Sequence, residues 1–313
     1  MRTALNRIKR TDSKLTSASV VTIGNFDGIH IGHRAVLEQL CTARDQSTLN
    51  EAIVLSLYPH PITVLKPEVT IQSISSLREK MSLLSALGVN RLTLIHFTKA
   101  LSELSAAQFI DTFVIKICNA KQLVLGPDTA LGRNREGDIN FIKSYCSKIG
   151  LAVSVVDTLM VNGQKISSRD IRTAIVSGDL KKAKTLLGRS YSVDGKVING
   201  DKRGRTLGYK TANVDTDNLL LPPNGVYVCR VYLKEQLLHG VANIGIRPTF
   251  RADLNVTTEV HLLDFVGSDF YHEHMRVEFI VKIRDEMKFQ SVENLKEQIA
   301  KDITKAREVL TIE

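Results

Sequence analysis

The sequence predicts two units of different class: an α/β unit built on a parallel sheet, then an antiparallel β unit that ends in a helix. Three observations carry this. Short β-branched runs alternate with helical stretches as far as Leu187, the pattern of a parallel sheet with helices on both faces. From Tyr191 to Asp285, short strands and turn residues replace long helical patterns, as in an antiparallel sheet or small barrel. The final segment returns to helical spacing. A chain of 313 residues has room for two domains. The expected division is residues 1–186 and 187–313.

Each element follows from its residues. Ser19–Ile23 is a β-branched run stopped by Gly24, and a helix is expected from Gly32 to Asp45. Ala52–Leu57, Arg91–Phe97, Gln122–Leu125 and Ala152–Val156 read as strands; Ser76–Leu87, Ser105–Cys118 and Asn140–Ile149 read as the helices between them. Ser168–Val176 and Asp179–Leu187 are two shorter helices. In the second unit the short strands include Gly225–Leu233, Leu237–Ile244, Thr257–Phe265 and Met275–Ile283. Val292, Leu295, Ile299, Ile303, Ala306 and Leu310 recur every three or four residues as one apolar stripe, with Ser291 as N-cap.

Composition narrows the function class. Hydrophobic residues at 43% and charged residues at 24% exclude a disordered or collagen-like chain. The net charge of +9 suggests anionic partners. No recognition helix, zinc pattern or aromatic platform supports nucleic acid. No apolar run approaches the roughly 20 residues of a membrane span. Residues 1–20 are basic and rich in Ser and Thr without the apolar core of a secretory signal. They read as a polar lead-in to the first strand, with a transit peptide as the second reading. Cys41, Cys118, Cys146 and Cys229 form no close pair, so neither a zinc site nor a disulfide framework is expected. Free thiols fit the cytoplasm. The oligomeric state is left open.

The first candidate site is Gly24-Asn25-Phe26-Asp27-Gly28-Ile29-His30-Ile31-Gly32-His33. It joins an expected strand to an expected helix, at the sheet edge where α/β proteins bind ligands. Glycines let backbone approach a phosphate, and the helix start offers unpaired N–H groups. His30 and His33 can face one pocket as phosphate donors. The pattern is neither GxGxxG nor a P-loop; it resembles the HxGH signature of nucleotidyltransferases. Ser167, Ser168 and Arg172 suggest a second phosphate clamp, although Ser at a helix start is most often only a cap.

The second candidate site is the loop Gly200-Asp201-Lys202-Arg203-Gly204-Arg205 with Thr211, Asn213 and Glu259. Gly200, Lys202, Gly204 and Arg205 make a flexible basic loop suited to polyphosphate, or simply a solvated hairpin. Thr211 and Asn213 offer hard oxygens to Mg²⁺. Strand alternation puts Glu259, His261 and Leu263 on one face and Val260 and Leu262 on the other. A carboxylate so placed can serve as general base for an alcohol.

Both sites in this order resemble the bacterial bifunctional riboflavin kinase/FAD synthetase family. The likeness runs from about Val20 to Arg307. It includes Thr22–Gly28, Tyr58-Pro59-His60-Pro61, Ile166-Ser167-Ser168, Thr211-Ala212-Asn213, Gly225-Val226-Tyr227, Ala242-Asn243-Ile244-Gly245, Glu259–Phe265 and Lys288-Phe289. The resemblance implies a Rossmann-like nucleotidyltransferase domain followed by a riboflavin kinase β-barrel with its terminal helix. It implies phosphorylation of riboflavin to FMN, then adenylylation of FMN to FAD, with ATP in both steps and Mg²⁺ at the Thr211/Asn213 motif. In it His30 and His33 match ATP phosphate ligands, Thr211 and Asn213 the Mg²⁺/ATP motif, and Glu259 the general base. Asp128 and Arg284 match flavin-contacting positions.

The chain departs from the family pattern at four places. Lys210 replaces the proline of Pro-Thr-Ala-Asn, and Arg169 a threonine of the Ser-Ser-Thr clamp. Thr129 and Leu131 replace two aromatics, and His272 a turn glycine. Two alternatives therefore stand beside the two-activity enzyme: a paralogue with one activity, or a flavin- or nucleotide-binding protein without turnover.

Overall fold

The computed structural model describes residues 17–161, 163–199, 211–216, 218–234, 236–247, 255–265 and 270–312. The chain divides into two units. The first contains the chain through Gln72 and Leu77–Ser168; the second contains Ser73–Ser76 and the chain from Arg169 onward.

In the first unit, β1 (Ser19–Ile23) is the central strand of a parallel sheet. Its neighbours are β2 (Glu51–Tyr58) and β4 (Ala120–Leu125). β3 (Arg91–His96) lies outside β2, and β5 (Ala152–Val155) outside β4. Every strand of this sheet was expected from the sequence. The near-continuous apolar runs reflect burial on both faces. Val21, Ile23, Ile53 and Leu55 face one apolar cluster with Ile110, Val114 and Ile142. Val20, Ala52 and Val54 face another with Leu37, Leu40 and Leu84.

The helices α1 (Ile31–Asp45), α3 (Leu77–Ala86) and α6 (Ile139–Lys148) lie where the periodicity puts them. Two short helical pieces, α2 (Pro61–Leu65) and α4 (Lys99–Ser102), were not expected. The helix expected over Ser105–Cys118 is a short α-helix, α5 (Ala106–Phe109), continuing as a π-helix, Ile110–Ile117. The Cys118 N–H reaches back five residues to the Phe113 carbonyl at 3.1 Å. A π-helix arises when packing overrides the usual period; here Ile110 and Val114 are fully buried. A two-stranded ribbon, β6 (Met160–Val161) with β7 (Gln164–Lys165), was also unforeseen.

The second unit contains α7 (Ser168–Val176) from Arg169 onward and α8 (Leu180–Leu187), both as expected from the sequence. Among the described residues, six antiparallel strands then close a barrel. These are β8 (Ser192–Ile198), β9 (Thr211–Asp215), β10 (Gly225–Leu233), β11 (Gln236–Arg247), β12 (Asn255–Leu262) and β13 (His274–Arg284). β8 and β9 were not read as strands from the sequence. Tyr227, Cys229, Ala242, Val260, Val277 and Phe279 fill the barrel interior. Ser73 pairs in parallel with Leu219, so a segment from the middle of the first unit's sequence belongs to this one.

The terminal helix α9 (Val292–Ile312) covers part of the barrel's outer face. Ile303, Ala306, Val309 and Leu310 pack on Val226, Val228, Val241 and Leu263. The Ser291 hydroxyl accepts from the Asn294 N–H at 3.2 Å, as an N-cap should. Val292, assigned to the apolar stripe, is 51% exposed, Leu295 and Ile299 are partly exposed, and the stretch packed on this cluster begins at Ile303.

Arg284 and buried Asp302 lock α9 to β13: Nε and Nη2 donate to the carboxylate at 2.8–3.0 Å. Removing one partner leaves the other charge buried without compensation. Asp302→Ala is expected to destabilise this unit by about 3 kcal/mol, seen as a lower urea midpoint.

Candidate active sites

The first site lies at the carboxyl end of β1. The connection to α1 has positive φ at Phe26 (49°), Gly28 (78°) and Ile29 (38°). Such backbone is costly for phenylalanine and a β-branched residue. Both side chains are almost fully buried in the core, which holds the turn in this form. A Cβ on Gly24 would lie 2.9 Å from the Phe26 ring, so only glycine fits there.

The turn delivers two stacked imidazoles. His30 is the N-cap of α1, and its Nδ1 accepts from the His33 N–H at 3.1 Å. While Nδ1 accepts this bond it carries no proton, which leaves Nε2–H as the donor that His30 can offer. The His33 ring stacks on it, with centroids 3.6 Å apart and planes 15° apart. Burial pushes the His33 pKa well below its usual value; His30 and then Lys80 push it further down.

Three elements hold the turn by its carbonyls. Lys80 Nζ, from α3, donates to the Asn25 carbonyl at 2.8 Å, and Ser56 Oγ, from β2, reaches the same oxygen at 3.5 Å. Ser168 Oγ donates to the Asp27 carbonyl at 3.1 Å. Ser168 is thus fixed to the turn as its sequence neighbourhood suggested, but through the backbone.

The second site is a polar row on the barrel's outer face. Glu259 on β12 pairs with Asn213 on β9 and with Asn243 on β11. Direct cross-strand partners share a face. Thr211 Oγ1 donates to Glu259 Oε1 at 2.6 Å. Val260 and Leu262 are buried inside the barrel, while Leu263 meets α9 on the outer face, as the alternation required. One carboxylate, one hydroxyl and two amides therefore converge. The oxygens are hard ones, suited to Mg²⁺. Among the described residues no group of three or more His, Cys, Asp or Glu side chains forms a metal cage.

With both sites placed, comparison with known proteins is decisive. A model of the FAD synthetase family matches residues 12–170, and a riboflavin kinase model matches residues 187–310. The Escherichia coli K12 bifunctional riboflavin kinase/FMN adenylyltransferase is 38% identical over 290 residues, 92% of each chain. The chain belongs to the bifunctional riboflavin kinase/FMN adenylyltransferase family. The Pseudomonas fluorescens member is 36% identical over 92% of each chain. The Listeria monocytogenes member is 35% identical over 93% of this chain and 92% of its own. A crystal structure described as a macrolide-efflux protein from Streptococcus pneumoniae has a TM-score of 0.83. It is 33% identical and covers 95% of this chain and 96% of that one. Among the described residues here, no helix is long and apolar enough to cross a membrane.

The structure sorts the residues that the family resemblance singled out. Gly24, Asn25, Phe26, Asp27, Gly28, His30, His33 and Ser168 come together at the β1 edge, with Ser167 next in the chain. Arg172 lies in the second unit, on α7. Thr211, Asn213 and Glu259 come together on the barrel. Gly200, Lys202, Gly204, Arg205 and Lys210 lie outside the described residues, as do residues 1–16. Arg284 pairs with Val226, which pairs with Asn243. It is in the row of Glu259, three strands away, about 14 Å along the sheet. Its guanidinium is occupied by Asp302 and by the Asp285 carbonyl. Asp128 is exposed just past the carboxyl end of β4 and forms an ion pair with Lys165.

Two departures acquire a physical meaning. Leu131 stands where the family pattern has an aromatic. It is 8% exposed and packs in the core with Ala106 and Ile142. The change at that position is therefore a change of core packing. His272 has φ 66°, so histidine does occupy a backbone conformation that favours glycine.

Two residues near the sites escaped sequence reading. Asn243 flanks Glu259 through strand register that no local pattern reveals. Lys80 sits in an ordinary amphipathic helix, where lysine normally signals solvent.

Proposed function

We propose that this chain converts riboflavin to FMN in the barrel unit and FMN to FAD in the α/β unit, using ATP in both steps. The observation that carries the reading is the coexistence of both constellations, each within the stretch matched by the corresponding family model. The presence of both favours the two-activity enzyme over a single-activity paralogue. The functional division is residues 1–186 and 187–313.

In the barrel, Glu259 is the general base that takes the proton of the ribityl 5′-hydroxyl as it attacks the γ-phosphorus of ATP. The Thr211 hydroxyl orients Glu259 by donating to Oε1. Thr211 and Asn213 would hold Mg²⁺, which when bound neutralises charge on the ATP phosphates. The basic loop with Gly200, Lys202, Gly204 and Arg205 completes the phosphate site, and Arg284 borders the flavin.

In the α/β unit, a phosphate oxygen of FMN attacks the α-phosphorus of ATP and pyrophosphate leaves. His30 offers Nε2–H to phosphate oxygens, and His33 lies stacked beside it. Gly24, Asn25, Phe26, Asp27 and Gly28 shape the backbone cradle; Ser167 and Ser168 contribute the second clamp, and Asp128 borders the flavin. No covalent nucleophile is required, because positioning and charge stabilisation carry such transfers. The four buried cysteines are free thiols. Burial pushes Cys118 up to about 12 and Cys146 up to about 11, so both stay protonated and inert at neutral pH. This supports a place in the reducing cytoplasm.

The test is chromatographic. Pure protein with riboflavin, ATP and Mg²⁺ is expected to give FMN and then FAD, and with FMN in place of riboflavin to give FAD. Absence of product from both incubations contradicts the reading.

A further inference from the structure

We propose that Lys80 is a positioning residue for adenylyl transfer: it pins the Asn25 carbonyl and sets a fixed positive charge beside the His30–His33 pair. This rests on the assignment of the β1 edge as the adenylyl-transfer site.

Geometry comes first. Lys80 reaches from α3 to the Gly24–Gly28 turn, and its Nζ lies 2.8 Å from the Asn25 oxygen. Its residue is half-buried, and burial lowers its pKa, with Asp27 opposing that shift. Asp27 is itself 5% exposed. The titratable groups that feel the ammonium are Asp27, in the turn, and His33, at the start of α1.

A neutral donor would suffice to hold a carbonyl. Desolvating a cation for that purpose is costly. The charge also works against the neighbouring imidazole, since Lys80 helps to depress the His33 pKa. The ammonium so adds a positive potential beside the two imidazoles, with the Asp27 carboxylate opposing it. A polyphosphate entering at the helix start meets that potential ready-made, which is how preorganised charge stabilises a transferring phosphoryl group. Lys80 so acts twice: it fixes the turn from which His30 and His33 project, and it raises the field they share.

The test uses the full chain and two variants. Lys80→Gln keeps a donor but loses the charge; Lys80→Arg keeps the charge. In Lys80→Gln, kcat/KM for ATP in FMN adenylylation is expected to fall about tenfold or more, the scale of one charge-assisted contact. Riboflavin phosphorylation by the same molecule is the internal control and stays within about twofold. The His33 imidazole, followed by NMR without substrate, titrates at higher pH in Lys80→Gln than in wild type. Lys80→Arg retains the wild-type titration and most of the adenylylation. Wild-type adenylylation by Lys80→Gln would overturn the proposal. So would an equal fall of both activities, which would make Lys80 a residue of general stability. If the wild-type chain does not adenylylate FMN, the site assignment fails by itself. The His33 titration then still decides on the Lys80 charge: unmoved in Lys80→Gln, it refutes it.

Discussion

Glu259→Gln is expected to lower the turnover of riboflavin phosphorylation by about 10²–10⁴-fold, the usual worth of a general base. FMN adenylylation by the same molecule stays at its wild-type rate. The substitution is nearly isosteric. Thr211 Oγ1 still finds the side-chain carbonyl oxygen in place of Glu259 Oε1, and Asn213 and Asn243 still flank the position in register. What is lost is the capacity to take a proton. The fall therefore shows in kcat, while KM for riboflavin changes little, since the interaction removed is one made in the transition state. Steady-state assays of both half-reactions read this directly.

His30→Asn is expected to have the converse effect. Asparagine is a favoured N-cap and accepts from the start of α1 as histidine does, so the helix keeps its cap. The imidazole Nε2–H is gone. Losing one preorganised donor at a transferring phosphoryl group typically costs about 10²-fold or more in rate. FMN adenylylation falls by that amount, and riboflavin phosphorylation continues. The stacked partner adds a signature. In the folded site the pKa of His33 lies well below 6.5, so the unfolded chain binds a proton that the folded chain refuses. This contribution to stability is present above about pH 6.5 and is lost as the pH falls. Burial is the largest cause of that shift, and it does not depend on the His30 ring, so the acid loss of stability persists in the variant.

The parts of this molecule written in local pattern were legible in the sequence. The strand–turn–helix around Gly24–His33 was one of them, because glycines, buried apolar runs and a capping residue act over a few positions. Glu259 and Val260 were assigned to opposite faces by alternation, and the barrel register agrees. What depends on distant partners was not legible. The π-helix Ile110–Ile117 is set by packing, and no period in the sequence announces it. β9 is too short and too close to a basic loop to stand out as a strand. Arg284, matched by resemblance to a flavin-contacting position, is paired with Asp302 on another element, a contact that no local pattern shows. Lys80 hides in the same way: its partner is a backbone carbonyl 55 residues away. The burial of Leu131 likewise depends on residues far along the chain, among them Ala106 and Ile142.

The central claim is that two separate constellations perform two separate transfers. One chromatogram tests it most directly: wild type, Glu259→Gln and His30→Asn, each incubated with riboflavin, ATP and Mg²⁺, with riboflavin, FMN and FAD resolved over time. The account predicts FAD from wild type, unconverted riboflavin from Glu259→Gln, and FMN that accumulates without FAD from His30→Asn. FAD formed at the wild-type rate by either variant would contradict it.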